Sequence, residues 1–442
     1  MVVGSKSGHG LPSVPLFLST TTHTMDDLPV ELLALIVSFA SGQDLKALSL
    51  VSSRFTEHCQ RRLYASLTIS GDLVANNSAG MLARRLYEAF RQFSHLGGYV
   101  HNCTLHLRDM ETVDNPLAFL AMLRLLSSVR SVKVYDVVWR RLSETLRTAV
   151  VEFMEPVLHR RGGQVALDHI DDLPIDVFDH IARRATHLVL RQVQVTEGDL
   201  PAHVADGEAD ASPSLLKTLV LQRGGIHSAS PLTSTRYLGS LETLEALLDG
   251  KDQLKLLEDI AHCASPTVRQ LTIKIPVHIP MSEFASSTLG LIFLPSVEIV
   301  HYGFMLADRR STSSRLNLST GTVYVHQLQV ILRTLPSLIT PRLRRLHIHI
   351  DMDIGADLAP PVEYVLSTNL AEFDNTLASR IHAGSGRIRA DIGVSFHVLG
   401  ALAGDNVAGI IEGNYLALRA ALEHGLSSSI EAGLQIFAQD QD

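Results

Sequence analysis

Cysteine is nearly absent from this chain. Three occur in 442 residues, at positions 59, 103 and 263, and none stands in a CxxC spacing. A disulfide framework and a cysteine-rich zinc site are therefore excluded, and the usage fits a reducing compartment, cytoplasmic or nuclear. Runs of 18 apolar residues are lacking too, so neither a membrane span nor a membrane partner is expected. Residues 11–18 are apolar, but Pro12 and Pro15 break the continuous core that a signal peptide needs. The Ser, Thr and Gly content around them predicts a disordered tail over residues 1–24. Long runs of one charge sign are also missing. Lys and Arg number 38 against 46 Asp and Glu, a formal net charge of −8, and the Arg pairs are scattered. That excludes the basic face general nucleic-acid binding requires. No GxxxxGK[ST], GxSxG or HExxH is present, so no catalytic residue, metal or cofactor is assigned and the chain is not read as an enzyme.

What is present is concentrated first in residues 26–67. Asp26 and Asp27 precede Pro29, which suits the first position of a helix, and acids favour a helix N-terminus. Leu28, Leu32, Leu35, Ile36 and Phe39 then recur at helical spacing. Ser41 and Gly42 interrupt, and Asp44 reads as the N-cap of a second helix carrying Leu45, Leu48, Val51 and Phe55. Cys59, Leu63 and Leu67 mark a third. A unit of roughly 40 residues buries too little surface to stand alone. It needs the rest of the chain, or another protein, to cover its apolar stripe.

The ordered series LPxELLxxIxxF, DLxxLSLVSxxF and a basic helix ending in LYxxL resembles an F-box over residues 25–67. Two positions depart from many family members, with Phe55 for Trp and Ser52 for Cys. F-boxes bind the adaptor subunit of cullin–RING ubiquitin ligases. The resemblance implies that Leu28, Pro29, Ile36, Leu45, Leu48, Val51 and Phe55 face the adaptor. The alternative is a helical cap on a larger domain. A second DDLP segment, DDLPIDVFDHI at 171–181, lacks the second half of the pattern and reads as a repeat helix started by Pro174.

From residue 68 to 442, strand-like and helix-like segments alternate. Strands are expected near 100–110, 129–138, 164–170, 186–195, 215–222, 267–277, 296–302, 322–328, 342–352 and 388–398. Helices are expected at 81–93, 117–129, 142–159, 174–184, 241–262 and 408–424. The apolar cores start at Leu105, Val132, Val165, Leu188, Leu219, Leu271, Val297, Val323 and Leu346. Apart from the one long step from Leu219 to Leu271, their spacing is near the period of leucine-rich repeats, although the closing Asn or Cys of that repeat is missing. The expected fold class is α/β: an N-terminal three-helix F-box, then an irregular leucine-rich-repeat-like solenoid. Residues 196–214 and 307–321 read as exposed insertions.

In such strands the residues between core positions face outward. Here they are His106, Arg108, Lys133, Tyr135, Arg191, Gln222, Thr272, Lys274, His347, His349 and Asp351, a mixed set with a basic bias that fits a target-binding surface for an acidic protein. His347, His349, Asp351 and Asp353 share one strand face. Their rise of ~6–7 Å per pair of residues is wide for ligands of one ion, so a polar strand face is the simpler reading. Together these features imply a substrate-recognition subunit of a cullin–RING ligase, whose partners are the adaptor and an unidentified target. A repeat-type interaction scaffold with helices that only cap the solenoid is the alternative. An α/β enzyme would require a metal on the histidine face.

Overall fold

The computed structural model describes residues 28–70, 78–108, 117–196, 214–222, 225, 232, 235–248, 251–275, 294–307, 342–354, 370–383, 388–398 and 407–438. The tail over 1–24, the two insertions apart from their terminal residues and the strand expected at 322–328 lie outside them. The chain divides into two compact units, Met1–Ala65 and Ser66–Asp442.

The first unit holds α1 (Val30–Phe39), α2 (Gly42–Val51) and α3 (Ser53–Leu63). Pro29 is the residue before α1 rather than its first member, and its carbonyl accepts from Leu32 and Leu33. Ser41, not Asp44, caps α2. Ser41 Oγ accepts from Asp44 N while the Asp44 carboxylate accepts from Ser41 N, satisfying two backbone donors that the helix itself leaves free. Ser52 caps α3. Leu33, Val37, Leu45, Phe55 and Cys59 form the core, with Leu28, Ala40, Leu48 and Leu63 packed partly against it. Arg54 donates to the Leu28 carbonyl at 2.8 Å and Arg62 to that of Val37, so α3 also ties down both ends of α1 by hydrogen bonds.

The second unit is built on one sheet whose strands lie in sequence order, each parallel to the next. They are β1 (Ser66–Ser70), β2 (Asn102–His106), β3 (Ser131–Val138), β4 (Gln164–Pro174), β5 (His187–Thr196) and β6 (Thr218–Leu221). Then come β7 (Thr243–Leu247), β8 (Gln270–Ile275), β9 (Ile299–Ala307), β10 (Arg345–Ile354), β11 (Arg389–Val398) and β12 (Gln435–Ala438). Register aligns one apolar column through all twelve strands, from Ile69 and Leu105 through Leu190 and Ile273 to Ile392 and Ile436. Parallel neighbours cannot be joined by a tight hairpin, so the chain must return between strands. Helices occupy several of these returns: α4 (Ser78–Gln92), α5 (Ser94–Gly98), α6 (Leu117–Leu123), α7 (Glu144–Leu158), α8 (Ile175–Arg184), α9 (Thr235–Leu238), α10 (Lys251–Ala264), α11 (Ala371–Ala383), and α12 (Val407–Gly425) with α13 (Ser427–Ala432). Helices α7, α8 and α10 pack on the strands beside them, and the apolar columns are buried there. Gly162 (φ +77°) and Gly163 end the turn after α7; a Cβ at Gly163 would lie 1.9 Å from the Val157 carbonyl oxygen.

Three strands differ from expectation. Residues 241–247 are not helical: β7 fills the long step between Leu219 and Leu271, and Leu244 is in register with both. Its TLEAL sequence favours helix by propensity, but a place between two strands overrides that. Strands β1 and β12 are short segments that local pattern did not separate from their neighbours. The helix expected over 117–129 ends at Leu123. Buried Val297 precedes β9, and Val300 takes the position in register with Leu271. Pro174 does precede a helix, α8, followed by β5.

Candidate functional site

The outward positions of the sheet fall into two polar groups. On β2–β5, the Asp168 side chain is only 4% exposed and sits 2.5 Å from Lys133 Nζ, 3.6 Å from Arg191 Nε and 2.6 Å from His169 Nδ1. Asp136 lies 3.3 Å from His106 Nε2 and 3.5 Å from Arg108. The rings of His106, Tyr135 and His169 form a row with centroids 4.9 and 5.4 Å apart, and Lys133 Nζ is 5.1 Å from the Tyr135 centroid. Asp136, His169 and Gln192 all have φ near +50° at equivalent places in β3, β4 and β5. Each left-handed residue inserts a second outward side chain before the next buried one, Val137, Ile170 or Val193. The doubling crowds the polar row, at about 1–2 kcal/mol per strained residue. Those buried Val and Ile side chains also occupy the place where the repeat pattern looks for Asn or Cys. Sequence reasoning chose His106, Arg108, Lys133, Tyr135 and Arg191 but missed Asp168, Asp136 and His169. The available signal was the pair of polar residues after the cores of β3 and β4, Tyr135–Asp136 and Asp168–His169.

The second group spans β7–β11. His347 Nδ1 pairs with Asp391, whose side chain is fully buried, and Arg345 and Arg389 approach the same carboxylate at 3.5 and 3.7 Å. His349 Nε2 is 2.8 Å from Asp351, which also accepts from Ser395 Oγ at 2.5 Å. Lys274 pairs with Glu245 at 2.7 Å. Thr272, Lys274, His301, His347 and His349 line a cleft of about 380 Å³. Its floor includes Gly303, where a Cβ would meet Lys274 Cγ at 3.4 Å. Burial, with the neighbouring His347 and Arg345, holds His301 below the usual histidine pKa. His347 and His349 thus serve different carboxylates. Among the described residues no group of three or more His, Cys, Asp or Glu side chains could hold a metal ion; the Asp353 side chain lies outside them. Gln222 follows β6 and is exposed.

The helical unit places its apolar residues differently from the expected stripe. Leu45 and Phe55 are 3% and 1% exposed, inside the unit's own core, so they are not available as surface contacts. Leu28 and Leu48 are half-buried, and Pro29, Ile36 and Val51 are exposed. The reason is the break at Ser52, which is extended (φ −148°, ψ 140°). Helical spacing counted from Val51 to Phe55 crosses that break and loses its meaning. In α1 the core takes Leu33 and Val37, which leaves Leu32, Leu35, Ile36 and Phe39 outside. With Val30, Leu50 and Val51 these make seven large apolar side chains that are 41–87% exposed. So much exposed hydrocarbon on so small a unit marks an interaction surface. Residues 25–70 match the F-box-like family.

The F-box-like match covers all three helices and β1 and stops there. No curated protein matches the chain. F-box domains bind the adaptor subunit of cullin–RING ligases. In the unit matched here, the exposed apolar residues come from the outer side of α1 and the end of α2. Phe39 and Leu50, at 83% and 87% the most exposed of them, were not among the adaptor-facing residues inferred from the sequence. Both lie in the last turn of a helix, with no following turn of that helix to cover them.

Proposed function

We propose that this chain is a substrate-recognition subunit of a cullin–RING ubiquitin ligase. The F-box-like domain docks on the adaptor through Val30, Ile36, Phe39, Leu50 and Val51, and the second unit holds the target. The observation that carries the reading is the coincidence of the F-box-like match with exposed apolar residues on the first two of the matched helices. We read the second unit as an irregular leucine-rich-repeat-like solenoid, supported by strands paired in sequence order and by the repeated L-x-L cores in one register. On this reading its outward strand face is the target surface. The chain contributes proximity and no catalytic group, since other subunits carry the ubiquitin chemistry. It works in the cytoplasm or nucleus, where those subunits and reduced thiols are found.

The test is purification of the tagged full chain from cells under native conditions. Adaptor and cullin should co-purify in near-stoichiometric amounts, together with proteins whose lifetime lengthens when the chain is removed. Recovery of the chain without adaptor would overturn the proposal and leave an interaction scaffold.

A further inference from the structure

The strand face carries a layered charge. Among the described residues, six Lys and Arg residues make ion pairs on it: Arg108, Lys133, Arg191, Lys274, Arg345 and Arg389. Their side chains are 35–69% exposed, whereas the carboxylates they pair with, on Asp136, Asp168, Glu245 and Asp391, are 0–30% exposed. In every one of these pairs the cation is the outer member. Lys and Arg pairs away from this face are more nearly matched: Lys217 and Glu242 are both 51% exposed, Arg419 and Glu423 are 46% and 45%, and Arg184 and Glu155 are 39% and 31%. Chain length alone does not produce the layering, because Lys274–Glu245 joins two long side chains and still places the acid beneath.

A partner approaching this face meets cations first. The carboxylates below orient those cations without cancelling their outward field, because they are farther from the approaching charge. On β4–β6, one row from Asp168 and Arg191, the same face is apolar, where Ala166, Val189 and Val220 lie side by side in register. Asp171, at the C-terminal end of β4, is exposed and acidic. It therefore limits the cationic strip on that side. The chain as a whole is acidic, at −8, so the strip is a local reversal of sign and not part of a general basic character.

We infer that the strand face binds an acidic, extended polypeptide segment laid across the strands, with carboxylates at both ends and small apolar residues between. This deepens the target-binding reading above and rests on it. Eight strand spacings separate Lys133 on β3 from Arg389 on β11. At ~4.8 Å per spacing and ~3.3 Å rise per extended residue, such a segment spans about twelve residues. A nucleic acid is the poorer match. Ala166, Val189 and Val220 interrupt the basic residues that would have to follow a continuous phosphate backbone.

The experiment measures fluorescence anisotropy of a labelled peptide of about that length, with Asp residues at both ends and Ala between them, titrated with the full chain. The same peptide with Asn in place of Asp and a single-stranded oligonucleotide of equal charge are the comparisons. The acidic peptide should bind at least tenfold tighter than either, and binding should weaken progressively as ionic strength rises toward 1 M, where the screening length is about 3 Å. The double variant Arg108→Gln/Arg389→Gln removes the two most exposed cations. His106 stays on Asp136, and Arg345 and His347 stay on Asp391, so no carboxylate is stripped of partners. This variant should lose tenfold or more in affinity, and Arg419→Gln should lose none. Equal binding of the Asp and Asn peptides, or unchanged affinity in the double variant, would overturn the inference, as would preference for the oligonucleotide. The salt series on the unmutated chain needs no substitution, and affinity that does not change with ionic strength overturns the inference equally. Adaptor binding is measured on the same preparations. A chain that holds adaptor but not the acidic peptide refutes this inference alone, whereas a chain that fails to hold adaptor refutes the ligase reading.

Discussion

Substituting Leu50 and Phe55 separately divides the F-box-like domain into surface and core. Leu50 is 87% exposed in the last turn of α2, so Leu50→Lys removes almost no intramolecular packing. A cation near a helix C-terminus is mildly favourable, about 0.3–1 kcal/mol, so the helix itself should not suffer. In the complex the change has two costs. An apolar contact with the adaptor is lost, about 2 kcal/mol, and an unpaired ammonium must be desolvated, worth a similar amount or more. At about 1.4 kcal/mol per tenfold, affinity for the adaptor should fall by well over a hundredfold. Phe55 is the opposite case. It is buried among Leu33, Val37, Leu45 and Cys59, and Phe→Ala in a core costs about 3–5 kcal/mol. A three-helix unit of this size cannot spare that amount. Phe55→Ala should abolish binding by unfolding the helices. The assay is calorimetric titration with purified adaptor beside hydrogen exchange over residues 30–63. Leu50→Lys should keep exchange protection and lose binding, and Phe55→Ala should lose both. Full binding by Leu50→Lys would place the interface elsewhere, and native protection in Phe55→Ala would refute the assigned core.

Asp374 links α11 to the start of α13 by accepting from Ser428 N at 3.0 Å and Ser429 N at 2.7 Å. Burial pushes its carboxyl pKa up, but hydrogen bonds from Ser429 and Ser428 outweigh it and hold the group below the usual carboxylate value. A depressed folded-state pKa stabilises above the unfolded value near 3.8 and is lost as pH falls through the folded value. Asp374→Asn should therefore lower Tm at pH 7, and the difference from the unmutated chain should close below about pH 4 in a thermal-melt series. Cys103 is buried on β2, and burial pushes its thiol up to about 12. It should resist alkylation at about pH 8 in the folded chain and react once the chain is denatured, as read by mass spectrometry of the modified peptides. Ready labelling of the native chain would contradict the packing of β2.

Much of this architecture was legible from local pattern because one sheet face is buried along its whole length. Period-two alternation around Val132, Val165, Leu188 and Leu219 follows directly from burying one side of a strand, and such cores are readable one at a time. The F-box resemblance likewise rests on contiguous residues whose order and spacing are written in the chain. Three things were decided only by tertiary structure. TLEAL became β7 because its neighbours left a gap in the sheet, against its own helical preference. The apolar residues of α1–α3 sort into core and surface through the extended break at Ser52, which no single helical period spans. The carboxylates under the strand-face cations come from neighbouring strands far apart in sequence: Asp168 meets Lys133 and Arg191, and Asp391 meets Arg345 and His347. Side-chain periodicity reports which residues leave the core. Which of them then meet, and at what depth, depends on register between strands, and that is a property of the assembled sheet.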